Sequence, residues 1–318
     1  MHDLIGVMRM YLSKHATILL ASVLLFQLAA LHAGAQDKPK RPRITGIDHV
    51  RLYVTDVDKS RQFYSKNIGL PDHPELGCEN APYACSAIDP EQQIEFQLAP
   101  SPAPQNWVAE IGYATDDIEQ MRRYVLAHKI AATPTTTDAN GARHFELHDP
   151  EGNSVAFVQR SVRAKDWGTF NNQIGTRLLH AGFVVKDVAA ENKFYLDLLG
   201  FKLYWYGGFK DDGVDWYEIQ VPDGDNWIEY MLNIPATADH KELGVQNHFS
   251  LGVKDIHAAA EQLHKNGLLK FDGPEIGRDG KWGLDAYDPD GTRVEVMEFT
   301  PAGKPCCHPY TAPHPTTP

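Results

Sequence analysis

Residues 178–187 read "LLHAGFVVKD", an apolar run interrupted by one titratable ring, His180. Residues 47–56 read "IDHVRLYVTD" and set His49 in the same company. Two carboxylates are placed alike, Glu229 in "WIEYM" and Glu295 in "RVEVMEF". Alternate residues of a strand share a face, so Glu229 lies with Trp227 and Met231, and Glu295 with Met297 and Phe299. A carboxylate among such neighbours faces a core or a pocket, and burying it ionised and alone is costly. Imidazoles and carboxylates are the side chains that hold divalent cations and pass protons. Taken singly, each has a plainer reading: a strand histidine satisfied in the core, or a strand glutamate facing water. The elements that position them must decide.

Those elements recur. "RQFYSKNIGL" at 61–70 matches "NKFYLDLLGF" at 192–201, and His49 matches His180, both at an offset of 131. "HDPEGNSVAFV" at 148–158 matches "YDPDGTRVEVM" at 287–297 at an offset of 139. The chain is therefore two duplicated halves. Each half repeats again, because 49–57, 110–118, 180–188 and 248–256 share one plan. That plan is an alternating apolar strand, then an aspartate, then an apolar residue opening a helix. The aspartates, Asp56, Asp117, Asp187 and Asp255, are expected N-caps, since a carboxylate accepts from the orphan N–H groups of a first helical turn. Helices are expected at 58–68, 118–129, 189–199 and 256–267, each followed by β-rich segments with Gly and Asp turns. Each quarter thus reads strand, helix, three strands, over about 44–100, 106–160, 177–233 and 246–300. Residues 160–175 link the halves, and 234–244 form a linker inside the second.

The remaining sequence bounds where and with what the protein works. A length of 318 residues suits two medium domains. A net charge of -12 gives no basic footprint for nucleic acid and a poor match to anionic membrane surfaces. Residues 1–35 run from a weakly basic start (Arg9, Lys14) through "ATILLASVLLFQLAAL" to "AGA", the pattern of a signal peptide cut before Gln36. Export, to a periplasm or the medium, and no membrane attachment after cleavage are expected. An oxidising compartment allows disulfides, and Cys78 and Cys85 are close enough in sequence to form one. Residues 301–318 are proline-rich and expected to be disordered, although Cys306-Cys307-His308 there is a conceivable metal triplet.

Four βαβββ units, with "FY…LG" helices and a "DPDG" turn before the last strand, resemble the vicinal oxygen chelate superfamily of glyoxalases, extradiol dioxygenases, epimerases and bleomycin- or fosfomycin-resistance proteins. The resemblance covers about 44–300 and implies an α+β fold of two cup-shaped half-barrel modules. The first glyoxalase-like domain would span 44–160 and the second 177–300, each with its site on the inner face of the cup.

In that family the metal ligands come from first and last strands of paired units. Carried over residue by residue, the second half offers His180, Glu229, His248 and Glu295, with His-to-Glu spacings of 49 and 47. Two buried carboxylates facing two histidines need a cation, so one divalent ion is expected, with Zn, Ni, Fe, Mn and Co all admissible. The first half offers His49, Glu95, Glu110 and Ala156. A methyl group cannot ligate, so that half is expected to be structural.

The resemblance implies a metal holding two oxygens of a small substrate, with Glu229 and Glu295 also able to move a proton. The His-Glu-His-Glu set is similar to glyoxalases and epimerases, and a metal-dependent lyase or isomerase is the leading expectation. A ligand-sequestering protein of the resistance type is the second. An extradiol dioxygenase, using His180, His248 and Glu295, is the third. It lacks the family's Tyr three residues before the "DP" Asp, where this chain has Asp285. Arg278, Trp205 and Tyr217 are expected to contact the substrate, which the aromatic third unit suits to an apolar or aromatic molecule. A monomer or homodimer is expected.

Overall fold

The computed structural model describes residues 39–71, 84–138, 141–160 and 170–315. The leader and Cys78 lie outside the described residues, and with them the expected cleavage site and the Cys78–Cys85 bridge.

Each quarter opens as its sequence pattern requires. Strands β1 (Ile44–Val54), β4 (Val108–Thr115), β8 (Arg177–Val184) and β12 (His248–Val253) are the four repeated segments. Each leads into a helix capped by the expected aspartate. Asp56, Asp117, Asp187 and Asp255 accept backbone N–H bonds from the first turn at 2.9–3.1 Å. The helices are α1 (Val57–Gln62), α2 (Ile118–Ala127), α3 (Val188–Asn192) and α5 (Ile256–Lys265). A difference from the expected regular helices recurs at the two "FY" motifs. There α1 and α3 widen into π-helical turns, Phe63–Asn67 and Lys193–Leu198. Ile68 donates to the Phe63 carbonyl and Leu199 to that of Phe194, five residues back. Apolar spacing alone does not distinguish this widening from an α-helical turn. The linker at 234–244 also holds a short helix, α4 (His240–Gln246), started by a capping box between Asp239 and Glu242.

The remaining strands complete two curled sheets. In the first half these are β2 (Ala84–Ala87), β3 (Gln93–Leu98), β5 (Thr136–Thr137), β6 (Arg143–His148) and β7 (Ser154–Gln159). Their order is β2-β3-β1-β4-β7-β6-β5. In the second half they are β9 (Lys202–Gly207), β10 (Trp216–Gln220), β11 (Trp227–Met231), β13 (Asp272–Ile276), β14 (Trp282–Tyr287) and β15 (Arg293–Glu298). Their order is β13-β14-β15-β12-β8-β11-β10-β9. First strands pair antiparallel at the centre of each sheet, and the last strand of each unit joins its own first strand in parallel. Two half-barrel cups result.

The halves are not separate bodies: from Lys40 onward the chain forms one unit, and its main core draws on both. The duplicated "FY" and "DP" motifs help join them. Tyr64 of the first half donates to Asp288, in the "DPDG" turn of the second, at 3.1 Å. That turn and its counterpart at Asp149 close through Gly291 and Gly152, both at positive φ, where a side chain would be strained. Among the described residues no helix is long and apolar enough to cross a membrane.

The proline-rich C-terminal segment departs from the expected disorder. Its described part is held by aromatic and polar anchors that composition averages away. The Trp205 indole donates to the His308 carbonyl at 3.0 Å, and Thr311 N–H to the Tyr204 carbonyl at 2.9 Å. Tyr310 packs with Tyr204 and Trp227 in an apolar cluster. Cys306 and Cys307 are bonded to each other, so neither offers a thiolate to a metal.

Candidate metal centre

His180, Glu229, His248 and Glu295 stand on β8, β11, β12 and β15, four strands adjacent in the order β15-β12-β8-β11. Their donor atoms converge. His180 Nε2 lies 3.0 Å from Glu295 Oε2 and 3.7 Å from Glu229 Oε2. His248 Nε2 lies 3.1 Å from Glu229 Oε2 and 3.6 Å from Glu295 Oε2. The two Nε2 atoms are 3.0 Å apart. Ligands about 2.1 Å from a shared divalent ion are roughly 3.0–3.4 Å from one another; His180, His248 and Glu295 form the set whose donor atoms all lie within 4.8 Å of one another, and Glu229 adjoins it through His248.

The surroundings prepare the ligands. His248 Nδ1 donates to the Gln246 carbonyl at 3.0 Å, which turns Nε2 toward the cluster. Arg293 Nη2 lies 2.7 Å from that same Nε2. The His248 ring lies directly over the backbone of Gly182: a Cβ on that residue would fall inside the ring. Burial pushes the His180 imidazole toward its neutral, ligating form. Burial alone would raise Glu295, but the Arg293 charge and the contacts with both histidines hold its carboxyl well below the usual range. Glu229 is likewise held down, against burial, by its contact with His248 and the charges around it. Two ionised carboxylates therefore share a buried site. Among the described residues no lysine or arginine forms an ion pair with either one.

The first half resolves the same charge problem from within. Arg51 Nε lies 2.8 Å from Glu95, and its Nη1 lies 2.8 Å from Glu110. Those are the positions equivalent to Glu229 and His248. His49 Nε2 is 3.2 Å from Glu110 and 3.6 Å from Glu95, and its Nδ1 is 2.9 Å from Asp48. Asp48 in turn is gripped by Arg160. The Arg51 guanidinium bridges the two carboxylates, and Ala156 adds no ligand. The only convergent His/Cys/Asp/Glu sets among the described residues lie in the second half.

This ionic core gives the first half a pH signature. Burial would lower His49, but the Glu95 charge and the bonds to Asp48 and Glu110 outweigh it and push its pKa up from 6.5 to about 10. Burial would raise Glu110, but the bond from His49 and the Arg51 charge take it down to about 2. The His49 contribution is complete below its ordinary pKa and disappears as pH rises through the folded value. The Glu110 contribution is complete above its ordinary pKa and disappears as pH falls through about 2. Denaturant titrations should show unfolding free energy falling by a few kcal/mol between about pH 7 and 10, with the slope absent in His49→Gln. An equal slope in both proteins would refute the assignment.

The other expected contacts divide. A cavity of about 240 Å³ opens beside the cluster and is lined by His180, Glu229, Glu295 and Trp205 among others. Arg278 reaches its rim, but its guanidinium pairs with Asp211 and donates to the Gly208 carbonyl. Tyr217 does not line the cavity. Its neighbour Glu218 is in register with both Trp205 and Glu229, so strand parity turns Trp216 and Glu218 inward. Tyr217 lies opposite Tyr230 and packs on the main core. The same parity, applied to "WYEIQ", is the signal that would have found Glu218. Arg293 and Gly182 were also missed, although "HAG" and "EIG" carry the same glycine in both halves.

A family model described as Glyoxalase/Bleomycin resistance protein/Dioxygenase superfamily matches residues 46–157 and 177–296, one span in each half. The chain is 31% identical over 124 residues to the uncharacterized protein YwbC of Bacillus subtilis (strain 168), a match covering 36% of this chain and 97% of that protein. It is 28% identical over 125 residues to a lactoylglutathione lyase of Haemophilus influenzae, covering 38% of this chain and 92% of the lyase. Among solved structures, an extradiol ring-cleaving dioxygenase from B. fuscum is similar with a TM-score of 0.63 at 17% identity, covering 85% of this chain and 75% of that one. Homoprotocatechuate 2,3-dioxygenase from Arthrobacter globiformis gives 0.61 at 17% identity, covering 81% and 80%. At such identities the structural likeness is one of fold.

Proposed function

The chain belongs to the Glyoxalase/Bleomycin resistance protein/Dioxygenase superfamily, and from that premise we propose that it is a divalent-metal-dependent lyase or isomerase of the glyoxalase type, working in its second half on a small oxygenated substrate. The observation that carries the reading is the charge contrast between the halves. Glu95 and Glu110 are bridged by Arg51, whereas among the described residues only histidines come within ion-pair distance of Glu229 and Glu295. His180, Glu229, His248 and Glu295 would hold the ion. When bound, a divalent ion supplies Lewis acidity toward two substrate oxygens and the negative charge that develops on them.

The chain's own groups do the rest. His180 and His248 present their Nε2 atoms, the second fixed by Gln246 and backed by Gly182. Glu229 and Glu295 line the cavity, and their carboxylates are the proton acceptors for a substrate carbon beside a carbonyl. Arg293 counters the charge on Glu295 without pairing with it directly. The dioxygenase reading has one observation in its favour, the close approach of His180, His248 and Glu295. Against it, Glu229 also turns into the cluster, and Asp285, at the position where the dioxygenase pattern has tyrosine, is tied to Arg293. The leader motivates the further proposal that this chemistry takes place outside the cytoplasm.

Deuterium exchange tests the reaction class. The metal-loaded protein in deuterated water should catalyse exchange at the carbon next to the carbonyl of simple α-hydroxyketones. Oxygen consumption with catechols and no exchange would favour ring cleavage instead. Tight ligand binding with neither reaction would favour sequestration.

A further inference from the structure

Beyond the four converging residues, the cavity wall carries two buried polar groups that the proposed metal chemistry does not use. Glu218 is 3% exposed and Lys281 1% exposed, and both line the cavity. Neither Glu218 Oε2 nor Lys281 Nζ has a hydrogen-bond partner. Lys281 Nζ lies 3.5 Å from Asp279 and 4.3 Å from the centre of the Trp227 ring, whose other neighbours include His180 at 4.9 Å. Glu218 sits directly across from Glu229 in the β10–β11 ladder. A buried acceptor without a hydrogen-bond partner and a buried ammonium held only by the 3.5 Å ion pair to Asp279 thus share one cavity, a short reach from the ligand cluster. Such groups are expensive to leave unmade and reward a ligand that completes them.

The charge of the lining narrows what that ligand is. Its three cations already have carboxylate partners: Lys281 with Asp279, Arg293 with Asp285, and Arg278 with Asp211. A divalent ion would offset Glu229 and Glu295. Burial pushes the Glu218 carboxyl well above the usual range and toward its neutral form, so the carboxylates left over are Asp272 and Glu275, further out on the lining. A net-negative cavity repels anions, which argues against glutathione adducts and carboxylate-bearing molecules. Trp205 and Trp216 add flat apolar walls suited to the C–H faces of a ring or polyol.

We propose that Glu218 and Lys281 form a second polar anchor, and that the substrate is a neutral polyhydroxylated molecule whose vicinal oxygens meet the metal while a further hydroxyl bonds to this pair. The inference rests on the metal-chelating reading above and assigns its substrate class.

Three hydroxamates with one chelating head and six-carbon tails test it: hexanohydroxamate, gluconohydroxamate and the monohydroxamate of adipic acid. Acetohydroxamate reports the head alone. Binding to the cobalt-loaded protein is measured by calorimetry. Gluconohydroxamate should bind about tenfold or more tighter than either other long tail, the scale of a hydrogen bond to a charged group. Glu218→Gln, which keeps the side chain's size, and Lys281→Met should each remove most of that preference. Cobalt and acetohydroxamate affinities should stay unchanged in both. Acetohydroxamate binding without a polyol preference overturns the anchor alone, as does a preference that survives both substitutions. A tighter carboxylate tail overturns the neutral-substrate assignment. No binding of any hydroxamate to loaded protein overturns the chelating reading and the anchor with it.

Discussion

Glu295→Gln lowers turnover at least ~10²-fold, the usual scale for a lost general base, with little change in volume or fold. Two effects combine. The amide cannot accept the substrate proton that Oε2 would take, and it withdraws one negative charge from a set whose other carboxylate is Glu229. A neutral amide also replaces an anionic ligand 3.0 Å from His180 Nε2, so divalent-metal affinity falls as well. The comparison is His49→Ala, at the equivalent strand position of the first half. Its turnover should match wild type when both are compared at equal folded fraction, because His49 serves an ionic core already closed by Arg51. Steady-state rates on refolded, metal-saturated proteins check both. Equal catalytic losses in the two variants would place the active half wrongly.

One β-carbon added in each half separates structure from function further. A Cβ at Gly182 would overlap the His248 ring, and a Cβ at Gly112 would overlap the His49 ring. Both glycines sit mid-strand in the sheet, so in each case the ring must move. Each alanine variant should lose about 1–3 kcal/mol to overpacking. Gly182→Ala should also weaken divalent-metal binding ~10–100-fold, the effect of misplacing a ligand through its support. Gly112→Ala should bind metal as wild type does. Denaturation curves and metal titrations on the two proteins suffice, and equal metal affinities would contradict the assignment of the site to the second half.

The fold was legible because duplication made weak signals agree. One strand–Asp–helix pattern is ambiguous, but four copies fix the element order, and all four aspartates do cap their helices. The convergence of His180, His248 and Glu295 was legible for the same reason. The less visible parts depend on contacts far apart in sequence. The Arg51 bridge reaches 44 residues to Glu95, and no local pattern marks it as a cation standing between carboxylates. The C-terminal segment looks disordered by composition, yet a few rings, Tyr310 above all, bind it to Tyr204 and the cup. Aromatic composition suits Tyr217 to the cavity as well as Trp205, but the β9–β10 register sets Glu218 opposite Trp205 and turns Tyr217 to the other face.

The central claim is that one divalent ion is held in the second half and none in the first. Elemental analysis of protein stripped with chelator, reloaded with cobalt and desalted tests it most directly. Close to one ion per chain is expected in wild type and in His49→Ala, and near none in His180→Ala and His248→Ala. Two ions per wild-type chain, or a stoichiometry that the His180 and His248 substitutions leave unchanged, would contradict it.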